Sequence, residues 1–415
     1  MVFSGPDGAP VLSAPLRGIG VLDASTMLAG PYCAGLLGDF GAEVIKVEDV
    51  GEGDPMRQSA PVLHGQHLPS KSTNRNKRSV ALDLRSSRGR DLFRELSRRA
   101  DVVITNFRRS ALERWSIDYE DLNALNPQLV MFHLTAFGRH SDRPGFARVA
   151  EAFAGLTHLT GMPDGPPMFC GFPVADGLAG THGAYSVMLA LFERQRTGRG
   201  QLVEFALYEP VLRMLEGAVA ACSVTGEVPR RLGNENRDIA PNSLYETADG
   251  TWVVVPVSSP SMWSRFCAAI GREELASDPR FATNLDRVRH RDELNAVIAP
   301  AIGALRADDF LEDCWTHGVA AGRVNSMADV LDTRELWESE SLISLHDERL
   351  GRAIAMPGVV PRMSGSPGAV RWVGPEAGQH TDEILQEVLG LSGVEVDELV
   401  DEGVVGRVAV PSAPA

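Results

Sequence analysis

The sequence predicts an α/β protein: a parallel, doubly wound sheet in the first half, with a smaller α+β unit behind it. Two observations carry this. Short apolar, β-branched runs alternate with helical stretches from Gly18 to Leu134, the order that builds a parallel sheet. From about Pro241 the pattern changes to two strand-like runs around Ala248-Asp249-Gly250, followed by amphipathic helices. A chain of 415 residues with 44% hydrophobic content is ample for a sizeable core.

The elements follow in chain order. After a polar arm bearing Pro and Gly, Gly18-Ile19-Gly20-Val21-Leu22-Asp23 reads as a buried strand, and the small residues from about Pro31 to Phe40 as a helix. Ala42 to Glu48 is the second strand and Ser79 to Asp83 the third. Ser87 is the expected cap of a helix reaching about Arg98, and Asp101 to Asn106 is the fourth strand. Helices near Ala111 to Trp115 and Tyr119 to Asn126 lead to a strand over Leu129 to Leu134. Leu202 to Ala206 is a further strand, and a single helix is expected from Leu207 to about Val224. Pro229, Arg230 and Arg231 mark Gly226 to Ala240 as a linker. In the smaller unit Ser243 to Thr247 and Trp252 to Pro256 form a hairpin. Ser261 to Ile270, Arg291 to Ala299, Asp308 to His317 and Met327 to Leu331 read as helices. The acidic tail from Thr381 to Val405 reads as helical and suited to pack against the basic half. The expected organisation is a large domain over 1–225, a small domain over 226–335, and a C-terminal segment, 336–415, that returns to the large domain.

A net charge of -15 argues against nucleic acid as the main partner. The charge is uneven, since Lys71 to Arg148 holds 16 Lys+Arg against 9 Asp+Glu. Arg88, Arg90, Arg94, Arg98 and Arg99 fit a solvated helix face; the functional alternative is a site for a small polyanion such as a nucleotide phosphate. With only Lys46, Lys71 and Lys77 as lysines, arginine must make most such contacts. No apolar run is long enough to span a bilayer and the first residues lack a secretory signal, so the expected location is cytoplasmic, with no membrane partner. Five scattered cysteines without a CxxC pair suggest neither a disulfide framework nor a metal site. Neither G-x-G-x-x-G after the first strand nor a P-loop occurs, and the acidic Gly51-Glu52-Gly53-Asp54 reads as a plain turn. Ligands of such sheets sit at the carboxyl ends of strands, which gathers Met27 to Ala29, Asn106 to Arg109 and the region after Thr135 around one crevice.

The chemistry is expected in the stretch from Cys170 to Gly180, where Asp176, a lone carboxylate, opens a long apolar helix. The spacing of Tyr185, Met188, Leu189 and Phe192 predicts a buried face, while Gly177, Ala179, Gly180, Gly183 and Ala184 allow close approach of backbone or ligand. The plainer reading of Asp176 is a helix cap. Cys170 lies nearby, but nothing adjacent activates its thiol, and it reads as a core residue.

Several separate runs, in order, resemble the class III CoA-transferases: Gly20-Val21-Leu22-Asp23, Ala29-Gly30-Pro31, Gly41 to Glu48, Asn76-Lys77-Arg78-Ser79, Asn106-Phe107-Arg108 and Thr197-Gly198-Arg199-Gly200-Gln201. That family includes formyl-CoA:oxalate and carnitine CoA-transferases and the related α-methylacyl-CoA racemases. The resemblance covers the chain from about Leu16 to the Gly378 to Glu383 segment, and it implies a Rossmann-like large domain, a small domain and an interlocked homodimer. It puts Asp176 on the family's catalytic aspartate. It implies CoA contacts by Leu28, Ala29, Leu82, Arg85, Asn106, Phe107, Arg108, Arg114 and the Arg143 to Arg148 loop, with Arg143 and Phe146 in it. Arginine forks suit the phosphates of CoA, and Phe107 suits its adenine. Coenzyme A thioester is then a substrate, with no permanently bound cofactor. Asp49 stands where some relatives have a basic residue. Leu232-Gly233-Asn234-Glu235-Asn236 replaces the glycine-rich loop of the oxalate enzyme, which speaks against oxalate as acceptor.

The implied reaction moves CoA from an acyl-CoA to a carboxylic acid through acylated Asp176. Two alternatives stand beside it. A 2-methylacyl-CoA racemase needs an acid/base pair, but this chain has Gly145-Phe146-Ala147 where the racemases carry Gly-His-Asp, with His140 and His158 the nearest histidines in sequence. A non-catalytic CoA-binding protein is the other; the intact Asp176 argues against it. Arg148 and Arg231 are candidates for the far carboxylate of a dicarboxylic acid.

Overall fold

A computed structural model of the chain describes residues 14–408. They divide into two compact units. One takes in the chain up to Leu156, Gly171–Ala220 and everything from Glu335; the other comprises Thr157–Cys170 and Ala221–Arg334.

The larger unit is built on a seven-stranded sheet whose strands alternate with helices, as the sequence pattern requires. Along the chain come β1 (Gly20–Asp23), α1 (Ala29–Asp39), β2 (Glu43–Glu48), β3 (Lys77–Leu82), α2 (Ser87–Arg99) and β4 (Val102–Thr105). Then follow α3 (Arg109–Trp115), α4 (Tyr119–Leu125), β5 (Val130–Thr135), α5 (Ala147–Phe153), α6 (Val174–Thr197) and β6 (Leu202–Ala206). The spatial order β3-β2-β1-β4-β5-β6 is parallel throughout, and it reverses direction between β1 and β4. Val102 to Thr105 are buried without exception, as a central strand covered on both faces must be. One residue shifts the cap of α2: the hydroxyl of Ser86, not Ser87, accepts the Gly89 N–H at 3.0 Å.

Helix α6 differs most from expectation. Tyr185, Met188, Leu189 and Phe192 are exposed, and Ala175, Ala179, Gly180, Gly183, Val187, Ala190 and Leu191 face inward instead. The cause is distance. A Cβ on Gly183 would lie 2.4 Å from the Phe132 ring, and one on Gly180 would lie 2.8 Å from the Ala29 carbonyl, so only small residues let α6 sit this close to α1 and the sheet. The single helix expected from Leu207 is two, 209–214 and 216–225.

The smaller unit holds β7 (Asn242–Glu246) and β8 (Trp252–Pro256), paired antiparallel as the hairpin signal predicts. Helices α7 (Pro260–Ala269), α8 (Arg291–Gly303) and α9 (Ala307–Thr316) and strand β9 (Gly322–Arg323), which pairs with β8, belong to it too, as do the shorter helices Asn284–Arg289 and Met327–Asp332. Its core is separate from that of the sheet, with Phe266, Phe281, Phe310 and Val255 fully buried.

The chain then returns to the larger unit through a hairpin, β10 (Leu342–Asp347) with β11 (Arg352–Pro357), which the sequence pattern did not show. The acidic tail is helical as expected, in two helices, α10 (Thr381–Leu389) and α11 (Gly393–Asp401): a capping box on Ser392 starts the second. A last strand, β12 (Val405–Gly406), adds antiparallel to β3. The tail does meet the basic half, where Arg78 binds Glu383 and Glu387 and Arg88 binds Glu402. These pairs are partly exposed and each contributes at most about 1 kcal/mol.

Candidate active site

At the carboxyl ends of β3, β2, β1 and β4, beside the point where the strand order reverses, a cavity of about 490 Å³ opens in the larger unit. Thr26, Leu82, Arg85, Phe107 and Trp115 line it, with Asp49, Glu52 and Gly53 on its acidic side. Phe107 meets Trp115 edge to face, with ring centroids 5.4 Å apart, which gives the cavity a rigid aromatic wall. The Phe107 carbonyl is fixed from below by the buried His133, whose Nε2 donates to it at 2.7 Å.

The loop after β1 is held by a network of buried charges. Asn106 clasps Thr26, accepting its N–H at 2.9 Å and donating to its carbonyl at 2.8 Å. Lys46 Nζ donates to the Ser25 carbonyl at 2.8 Å and pairs with Asp54 at 3.0 Å, while Asp54 accepts the N–H of Met27, a residue with a left-handed φ of 69°. Lys77 Nζ binds Asp23 and the Pro31 carbonyl. Burial alone would raise the Asp23 pKa, but Lys46 and Lys77 outweigh it and hold the carboxyl below its usual range. Burial likewise opposes ionisation of Glu48, yet the Arg57 fork, Lys46 and Ser79 bring it down to about 2. All three lysines are buried. None is free for a phosphate.

The residues named from the sequence fall into three groups. Leu82, Arg85 and Phe107 line the cavity; Asn106, Leu28 and Ala29 belong to the loop and helix start beside it, Asn106 through its grip on Thr26. Arg108, Arg114 and Arg143 are exposed, and Arg143 lies over the Phe137 ring, 4.0 Å from its centroid. Phe146 is 66% exposed. Arg85 is tethered, its Nε to Asp83 at 2.8 Å and its Nη2 to Asp49 at 3.0 Å. Asp49 thus occupies the guanidinium instead of adding a positive charge. Arg148 pairs with Glu151 at 2.9 Å, and Arg231, in the smaller unit, donates to the His158 carbonyl. Sequence reading missed Trp115, one residue beyond the named Arg114, and Asp54, whose glycine-rich setting looked like a plain turn.

Asp176 is the third residue of α6 and half-buried. It does not cap the helix: Pro173 holds the N-cap position, and among the described residues the Asp176 carboxylate accepts no hydrogen bond and joins no ion pair. One turn further on, Gly180 abuts Ala29, the first residue of α1, so the helix that carries Asp176 packs on the start of the helix that follows the cavity-lining Thr26. A helix N-terminus alone favours the ionised acid. Here the opposite prevails: burial, then the neighbouring Glu151, raise the Asp176 pKa to about 6, with Arg148 opposing. No group of side chains suited to hold a metal occurs among the described residues.

A parallel sheet that opens a cavity at its switch point, walled by an aromatic pair and an arginine, has the architecture of a ligand-binding α/β protein. Comparison with known proteins makes this specific. The model of CoA-transferase family III matches residues 16–381. The succinyl-CoA–D-citramalate CoA-transferase of Chloroflexus aurantiacus is 41% identical over 91% of this chain and 95% of its own length. The β subunit of the succinyl-CoA–L-malate CoA-transferase of the same organism is 38% identical over 94% of this chain and 98% of its own. A crystal structure of a CaiB/BaiF family protein from Brucella suis superposes with a TM-score of 0.81 at 32% identity, covering 90% of this chain and 99% of that one. The chain belongs to the family III CoA-transferases, and it is an enzyme that transfers CoA between acyl-CoA thioesters and carboxylic acids.

Proposed function

We propose that transfer proceeds through Asp176 as a covalent nucleophile. A carboxylate oxygen attacks the thioester carbonyl, the C–S bond breaks, and a mixed anhydride and CoA thiolate form. The thiolate attacks the aspartyl carbonyl and the donor acid leaves, so that CoA is carried as an aspartyl thioester. The acceptor carboxylate then attacks that carbonyl and expels the thiolate. Its return to the acceptor's acyl carbon forms the new acyl-CoA and frees Asp176. The observation that carries this reading is a half-buried, unpaired carboxylate with its pKa raised to about 6, ionised at neutral pH yet more basic than an ordinary aspartate. Exposure to an acyl-CoA followed by hydroxylamine or borohydride, read by peptide mass spectrometry, is expected to mark Asp176. Full activity in Asp176→Ala, with no mark on that peptide, overturns the mechanism.

The CoA nucleotide is assigned to the cavity, its adenine against Phe107 and Trp115 and its phosphate drawing Arg85 away from Asp49. Arg108, Arg114, Arg143 and Phe146 are assigned to the same ligand's outer reach. Because two relatives are named for succinyl-CoA with a hydroxy dicarboxylic acid, succinyl-CoA as donor and a four- or five-carbon dicarboxylate as acceptor are the first pair to assay. No helix is long and apolar enough to cross a membrane among the described residues. We assign the enzyme to the cytoplasm as an interlocked homodimer without a permanent cofactor, nucleic acid or membrane partner. The racemase alternative needs a proton shuttle where Phe146 stands; deuterium uptake into a 2-methylacyl-CoA without acceptor acid would restore it.

A further inference from the structure

We propose that Glu151 is a positioning residue for Asp176, acting through the Arg148–Glu151 pair of α5 that grips the first turn of α6; the inference rests on the reading of Asp176 as nucleophile. The Glu151 side chain is 1% exposed. Its Oε1 accepts the Ala175 N–H at 3.2 Å, and its Oε2 pairs with Arg148 Nη1 at 2.9 Å. The same Arg148 nitrogen donates to the Phe172 carbonyl at 3.3 Å, so one ion pair fastens both ends of the segment Phe172–Ala175 that leads into Asp176.

The Ala175 N–H is one of the first-turn donors for which the helix itself has no acceptor, and Pro173 at the N-cap supplies no side-chain bond. Glu151 serves as that cap from a neighbouring helix. A neutral glutamine would satisfy the same N–H without the desolvation cost of a buried carboxylate. What glutamate adds is negative charge, one residue from Asp176.

Only the charge of its partner Arg148 opposes it. Of the elements packed on α6, α1 brings Tyr32 beside Gly180, and its Asp39 is held by Arg75. The strands beneath bring His133 and Glu204, engaged by Phe107 and Arg139, and helix 209–214 brings Glu209, bonded to the Ala206 N–H, and Arg213, paired with Glu216. On α6 itself His182 is bonded to the Leu178 carbonyl. The charges that act on Asp176 are those of Glu151 and Arg148. Burial is the larger cause of the raised Asp176 pKa, and the negative charge of Glu151 adds to it by disfavouring a second charge beside it, so Glu151 helps keep Asp176 basic, and nucleophilicity falls as basicity falls.

The test is single-turnover formation of the aspartyl-CoA thioester from succinyl-CoA, run from pH 4.5 to 8.5, quenched in acid and read by mass spectrometry of the Asp176 peptide, in the full-length wild type, Glu151→Gln and Arg148→Met. Glutamine keeps the acceptor for Ala175, so Glu151→Gln is expected to fold. Its acid limb should move down by about one pH unit, and its plateau rate should fall severalfold. Arg148→Met removes the opposing charge and should move the limb up. A limb in Glu151→Gln that coincides with the wild type, while Asp176 is labelled in both, overturns the inference and leaves the nucleophile reading standing. A wild type that is never labelled overturns the nucleophile reading and the inference with it.

Discussion

At the scale of the residue, the same features that make Asp176 reactive should make it costly. Its folded pKa lies near 6 against an ordinary 3.8, so the folded protein holds the proton more tightly than the unfolded chain does. As pH rises between those values the unfolded chain ionises first, and stability is lost; above about pH 6 the loss is complete. Asp176→Asn is therefore expected to abolish transfer and to gain stability on the order of 1 kcal/mol at pH 7.5, after allowing for solvent at a half-buried site. Below about pH 4 the gain should vanish. Paired thermal melts at both pH values check the sign. In the wild type, transfer rate should fall as pH drops through about 6, where the nucleophile is protonated. Arg85 offers a second residue-scale test. It is 67% exposed at its side chain and tethered by Asp49 and Asp83, so a CoA phosphate need only displace surface pairs. Asp49→Asn should lower KM for acyl-CoA by up to about fivefold, the equivalent of about 1 kcal/mol, and Arg85→Ala should raise it, with kcat unchanged in both. Initial-rate kinetics decide, and an unchanged KM in both variants would remove Arg85 from the site.

At the scale of the element, strands and helix positions were legible wherever local period and local chemistry agreed. The runs at Val102 to Thr105 and Leu202 to Ala206, and the hairpin around Asp249, needed nothing beyond apolar pattern and turn residues. The orientation of α6 was not legible, because its inward face is set by how closely Phe132 and Ala29 approach, a tertiary fact that the large side chains at 185, 188, 189 and 192 obscured. The site was legible in part for the same reason. Phe107 follows a strand and so was placed by topology, and Leu82 and Arg85 came from the family resemblance, whereas Glu151 and Trp115 face their targets only once helices have packed. Gly183→Ala measures that packing directly. The new Cβ meets the Phe132 ring at 2.4 Å and the Cys33 sulfur at 3.2 Å, with a rigid strand on one side and α1 on the other. A loss of about 1–3 kcal/mol in denaturant unfolding is expected, larger than any helix-propensity gain from alanine. A neutral or stabilised variant would show that α6 can lift from the sheet freely.

At the scale of the whole molecule, the displaced large residues of α6 become the argument for assembly. Tyr185 is 62%, Leu189 52% and Phe192 63% exposed in the single chain, and their three- and four-residue spacing lines them along one side of a helix of 24 residues. A monomer rarely leaves such a stripe to water. If two chains cover it by passing through one another, dilution cannot separate them while they are folded, although separate chains would form after unfolding. Light scattering should therefore give twice 44.7 kDa at every concentration down to the detection limit, while the midpoint of denaturant unfolding rises with protein concentration. An ordinary, unlinked dimer would instead dissociate on dilution before it unfolds. If a partner chain covers the stripe, Leu189→Asp places a charge where desolvation is costly and should lower the unfolding midpoint more than the same change at the exposed Val394 on α11. A particle of 44.7 kDa that is active, with Leu189→Asp as stable as Val394→Asp, would leave α6 facing water and the linked assembly without support.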